Sequence, residues 1–134
     1  TIDTRTTSFR ILKTKYFKNI EKEEMPELLN ESYDYMIIDF GNEYEERKED
    51  FIRCKRRFVI GSFCDWKLSS YILFLEKTSK EIGRDQWEFF SVMGDDEIRK
   101  KLEKSYRIKI CPVPFETSPF FINKKNLSFF KNIL

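Results

Sequence analysis

Short apolar runs, each followed by a stretch with helical periodicity, restrict this chain to a small set of folds. Arg57-Phe58-Val59-Ile60-Gly61-Ser62 reads as a buried strand. Behind it Leu68, Tyr71, Ile72 and Leu75 stand at i, i+3, i+4 and i+7 of one helix face, with Asp65 placed to cap that helix. Gln86-Trp87-Glu88-Phe89-Phe90-Ser91-Val92 reads as another strand, and Asp95 caps a helix carrying Ile98 and Leu102. Arg107-Ile108-Lys109-Ile110-Cys111-Pro112-Val113 is the last strand, and Leu127, Phe130 and Leu134 give a C-terminal helix face after a proline-punctuated loop. Strands that alternate with helices are joined by crossovers, which favour parallel pairing. The expected class is α/β, with a mainly parallel sheet and helices on both faces.

The first part of the chain fits the same alternation less firmly. Residues 1–8 are polar and Thr-rich and read as a tail or lead-in loop. Phe9-Arg10-Ile11-Leu12-Lys13 is a short strand, and Met25, Leu28 and Leu29 follow at helical spacing with Pro26 where a first turn accepts it. Tyr35-Met36-Ile37-Ile38-Asp39-Phe40 reads as a buried strand that delivers one carboxylate, Asp39, to the top of a sheet. Residues 43–55 are highly charged, anchored by Phe51 and Ile52, and read as an exposed helix. No repeat, low-complexity segment or linker divides the chain, so a single α/β domain is expected over 9–134.

Composition removes several function classes. A chain of 134 residues can bury a core without disulfides or metal. It has no histidine, which excludes Ser-His and Cys-His nucleophile pairs and histidine-based zinc sites. Cys54, Cys64 and Cys111 are odd in number and form no C-x-x-C pair, so reduced and mostly buried thiols in a cytoplasmic setting are expected. The net charge of +2, from 25 basic and 23 acidic residues, gives no strong nucleic-acid signal. No apolar run is long enough for a membrane span. A chain that opens on Thr1 instead of methionine reads as a processed or excised piece. Aromatic residues at 16%, fourteen of them phenylalanine, are heavy for this size. They either fill the core or mark a surface that a protein partner or a second copy covers.

Three motifs invite chemistry. Asp39 at the end of an apolar run is placed for magnesium-phosphate work at the carboxyl edge of a sheet, or equally for capping the helix that follows. Asp39-Phe40-Gly41 spells the D-F-G of a protein kinase, but the catalytic and glycine-rich loops that a kinase needs are missing. The basic cluster Arg53, Lys55, Arg56 and Arg57 follows Glu45, Glu46, Glu49 and Asp50, so an acidic-to-basic helix matched to its own dipole accounts for it. Cys111-Pro112-Val113-Pro114-Phe115 leaves its strand in an extended exit. Such a loop borders a nucleotide base, or simply leads the chain to its last helix.

Taken in order, Y-D-Y-M-I-I-D, R-R-F-V-I-G-S, the strand near Phe89–Met93 and I-C-P-V-P-F-E-T-S-P-F-F-I resemble the C-terminal half of a MinD/ParA-type P-loop ATPase. The resemblance covers roughly residues 9–134. It implies an incomplete P-loop NTPase-like fold, with Asp39 on the magnesium-associated aspartate of the Walker B strand. It also implies that Pro114 and Phe115 lie on the loop that borders the adenine. No G-x-x-x-x-G-K-[ST] occurs here, so ATP and magnesium are implied only if a P-loop lies upstream. Without that loop the chain is expected to lack catalytic competence, with a regulatory or positioning role in the cytoplasm.

A flavodoxin-like receiver fold is the alternative. A working receiver needs an acidic pair after its first strand, where this chain has Lys13-Thr14-Lys15. It also needs an aspartate after the third strand, where Ser62-Phe63 stands, and a lysine after the fifth, where Cys111-Pro112 stands. Under that reading the chain is a pseudo-receiver or pseudo-ATPase, a non-enzymatic module for protein contacts. Partner binding or self-association is expected in either case.

Overall fold

A computed structural model describes residues 8–118 and 121–133. The chain divides into two compact units, Thr1–Arg53 and Cys54–Leu134. The expected tail over 1–8 lies outside the described residues except for Ser8.

In the first unit, β1 (Ser8–Ile11) and β2 (Thr14–Phe17) form an antiparallel hairpin, with Phe9 stacked on Tyr16 at 5.1 Å. A 3-10 turn at Lys22–Glu24 leads into α1 (Met25–Leu29), with Pro26 in its first turn as the sequence predicted. α2 (Tyr44–Arg53) bends at Arg47, whose backbone leaves helical angles. The Arg47 side chain pairs with Asp50 at 3.1 Å, donates to the Ile20 carbonyl at 3.4 Å and lies 5.8 Å from the Phe40 ring centre. Phe40 and Tyr44 each meet Phe51 edge-on, so a small aromatic cluster holds this unit together.

The strand expected at Tyr35–Phe40 does not form; the segment has no ladder partner among the described residues. Tyr35 is 69% and Ile37 86% exposed, whereas Ile38 and Phe40 are half-buried. The apolar run packs one side against its own unit and leaves the other open. A strand needs a neighbour for its backbone N–H and C=O groups, and hydrophobicity alone does not provide one.

The second unit carries the parallel sheet. β3 (Arg57–Ser62), β4 (Trp87–Val92) and β5 (Ile110–Pro112) lie side by side in chain order, all parallel. The crossovers are α3 (Asp65–Lys77) and α4 (Asp96–Tyr106), and α5 (Leu127–Ile133) closes the unit. α3 presents Tyr71 to the sheet, and a methyl added at Gly61 would overlap that ring. Phe74 of α3 meets Trp87 at 6.5 Å. Neighbouring residues of a strand point to opposite faces, so Phe90 lies on the other side from Phe89. There Phe129 of α5 meets Phe90 edge-on at 6.4 Å, and Phe58 does so at 5.3 Å. The expected α/β class and parallel sheet are therefore present, with a helix against each face.

Several boundaries differ from expectation. Cys64, not Asp65, caps α3, and it does so without a side-chain bond. β5 starts at Ile110 because Arg107 takes a left-handed conformation (φ 52°) as the C-cap of α4, and the Ile108 N–H returns to the Glu103 carbonyl. The three cysteines are half-buried instead of mostly buried, and no disulfide joins them. Leu134 lies outside the described residues.

Candidate functional site

In a parallel α/β sheet the strands all end at one edge, and the loops leaving that edge enclose the natural binding crevice. The carboxyl ends of β4 and β5 open here onto a cleft of about 500 Å³, a volume within the range of small-ligand sites. Its floor includes Ser91, and its walls come from the loop after β4, the first turn of α4 and the loop after β5.

Local sequence explains how these walls are held. Met93 (φ 52°) and Gly94 (φ 123°) turn the chain sharply from β4 into α4. Gly94 lies so close to Phe63 that a methyl there would overlap the Phe63 Cβ. The Phe63 N–H donates to the Val92 carbonyl at 3.2 Å, which fixes the loop after β3 beside the loop after β4. Asp95 caps α4 as predicted, its Oδ1 accepting the Glu97 N–H at 2.7 Å. On the other wall the Val113 N–H donates to the Ser91 carbonyl at 2.8 Å, continuing the β4–β5 pairing into the proline loop. Glu116 accepts from the Asn123 N–H and from Asn126 Nδ2, each at 2.9 Å, and so ties the proline loop to the segment before α5.

Acidic side chains outnumber basic ones on the cleft, beside the positive N-terminal end of α4. Asp95, Asp96 and Glu116 line it, and among the described residues Arg99 is its only lining cation. Arg99 is already engaged. Both its Nε and an Nη donate to Asp96 Oδ1, at 3.3 and 3.0 Å, and the other Nη lies 3.5 Å from Glu103. The hydrogen bond to Asp96 is the main cause that raises the Arg99 pKa, with the Asp96 and Glu103 charges adding to it. Ser91 is 6% exposed. Phe63, Phe115 and Phe130 add aromatic wall, with Phe115 on the rim at 70% exposure.

Of the residues singled out in the sequence, Pro114 and Phe115 line this cleft. Asp39 belongs to the first unit, where it is exposed and accepts the Gly41 N–H at 2.8 Å, a turn that leads toward α2. No group of three or more Cys, Asp or Glu side chains among the described residues is gathered as a metal site. A magnesium-nucleotide arrangement fits poorly. The Asp39 oxygen closes a local turn, and the cleft would face a triphosphate with carboxylates and one committed arginine.

Two residues of the basic cluster are engaged within the fold. Arg56 makes two bonds to Glu88, at 2.8 and 2.7 Å, and Arg57 donates to Gln86 at 2.8 Å and to the Cys54 carbonyl at 3.2 Å. No helix among the described residues is long and apolar enough to cross a membrane.

Sequence reasoning assigned Asp95 only a capping role, took Ser91 as a strand residue and passed over Asp96, Arg99 and Glu116. One signal was available: all five lie at or just beyond the carboxyl ends of predicted parallel strands. Compared with models of protein families, with curated proteins and with solved structures, the chain matches none.

Proposed function

We propose that this chain is a non-enzymatic binding module, and that the cleft at the carboxyl edge of its parallel sheet is where it takes a partner. The observation that carries this reading is the cleft's composition. It has aromatic walls and an excess of carboxylate but, among the described residues, no histidine, thiolate pair or free cation of the kind that drives group transfer. Phosphoryl transfer depends on a P-loop lysine and backbone amides to stabilise the transferred group, and the sequence has no such loop.

The C-terminal portion of a MinD/ParA-like ATPase is the second reading. The place of Pro114 and Phe115 on the cleft favours it, since that family borders its adenine with the corresponding loop. ATP and magnesium would then bind only with an upstream P-loop. Calorimetric titration with millimolar magnesium-ATP separates the two when it is made on the chain together with whatever its coding sequence places before Thr1. The binding-module reading expects no saturable heat. A saturable, magnesium-dependent isotherm would favour the ATPase reading.

A further inference from the structure

We infer that the first unit docks on a second copy of this chain, with the basic β1–β2 hairpin of one copy against the acidic stretch 21–46 of the other. The inference concerns the first unit alone and does not rest on the cleft.

Charge is segregated along this unit. Residues 8–20 hold four cations, Arg10, Lys13, Lys15 and Lys18, and no carboxylate. Residues 21–46 hold ten carboxylates against one cation, Lys22. All of these side chains except Glu24 belong to exposed residues. The charges do not cancel within one copy. The hairpin cations make no ion pair with a described residue; Lys15 lies 4.5 Å from the centre of the Phe17 ring and Lys18 5.2 Å from that of Phe9. The Arg10 charge reaches the Tyr33 phenol, whose hydroxyl donates to Glu31, yet Arg10 forms no pair with Glu31. Glu23, Glu27 and Asp34 are likewise without an ion pair among the described residues. Across the hairpin ladder Arg10 stands directly opposite Lys15, and like charges so placed destabilise a two-stranded sheet. Carboxylates brought from outside relieve that repulsion.

Both stretches also leave apolar side chains in solvent. The hairpin exposes Phe9, Tyr16 and, at its turn, Leu12 at 90%, and the acidic stretch exposes Leu29, Tyr35 and Ile37. Exposed ion pairs alone are weak, so an interface needs this apolar component beside the charges. In a two-fold dimer the contact between hairpin and acidic stretch is made twice, and the assembly closes. A nucleic acid or an anionic membrane would be drawn to the hairpin and repelled by the ten carboxylates of the same unit. A second copy satisfies both stretches at once.

Sedimentation of the chain across concentration tests the inference. A dimer is expected that weakens at least about tenfold between about 50 mM and about 500 mM salt. Lys13→Glu with Lys15→Glu is expected to give a monomer. The second substitution places opposite charges across the ladder from Arg10, so the hairpin itself is kept. Glu23→Lys with Asp34→Lys is expected to give a monomer as well. An equimolar mixture of the two variants is expected to regain association, because each supplies the charge that the other has lost. Lys124→Glu with Lys125→Glu, the same change of net charge in the second unit, leaves the dimer unchanged.

A chain that stays monomeric at about 1 mM in low salt would overturn the inference. So would a dimer that neither salt nor the reversals weaken, or two variants that remain monomeric when mixed. A monomer that binds a single-stranded oligonucleotide or phosphatidylserine vesicles, and loses them with Lys13→Glu and Lys15→Glu, would overturn it in favour of that partner. None of these outcomes bears on the binding-module reading, which the magnesium-ATP titration tests.

Discussion

Gly61 faces the ring of Tyr71, and Gly94 the side chain of Phe63, so each glycine is fixed by a neighbour that leaves no room for a methyl. At Gly61 the obstacle is a buried ring pinned between α3 and β3, which cannot withdraw without leaving the core. Gly61→Ala is expected to lower stability by about 1–3 kcal/mol, read from the urea midpoint. Tyr71 itself predicts a pH dependence. Burial holds its phenol well above its ordinary value of 10.0, with the charge on Arg84 pulling weakly the other way. Below about pH 10 the folded and unfolded chains both keep this proton, so stability is unaffected there. Above that value the unfolded chain releases it first, and stability falls as pH rises. Urea midpoints at about pH 8 and about pH 10.5 should show the loss, and Tyr71→Phe should remove the part of it that this phenol causes.

At the scale of elements, α4 is held at the cleft by its cap. Asp95→Ala is expected to cost about 1 kcal/mol in a thermal melt, and Asp95→Asn much less, because an asparagine oxygen still accepts the Glu97 N–H. The elements legible in the sequence were those whose burial pattern is local. Tyr71 and Leu75 are buried on α3 and Ile72 half-buried, as their spacing predicts, β4 lies within a residue of its expected bounds, and α4 starts behind the expected Asp95 cap. Elements decided by distant partners were misread. The Tyr35–Phe40 run has every local mark of a strand and lacks the neighbour that would make it one. The β1–β2 hairpin went unseen because its strands are exposed and mixed in polarity, and its turn places Leu12, not glycine or asparagine, at φ 53°. The start of β5 was set too early because a left-handed Arg107 is uncommon and carries no sequence mark.

On the scale of the whole molecule, the two units differ in how much they bury. The second contains Val59, Tyr71, Leu75, Phe89 and Ile110 in its core, and Leu75 and Ile110 are almost wholly enclosed. The first buries Met25, Leu28 and Phe51. Hydrogen exchange on the full chain should therefore find its slowest amides in β3, β4 and α3 and fast exchange across 33–41, which has no ladder bonds. Slow exchange at 36–38 would show that this run does pair as a strand in solution. The α/β class could be read from periodicity. The cleft could not, because it joins Phe63, Ser91, Arg99 and Glu116 through the register of three parallel strands, which no local pattern specifies. The most direct test of a binding module without nucleotide chemistry is an amide chemical-shift titration of the wild-type chain with magnesium-ATP. The account predicts no saturable shift at Ser91, Asp95 or Phe115; a saturable, magnesium-dependent shift of these amides would contradict it.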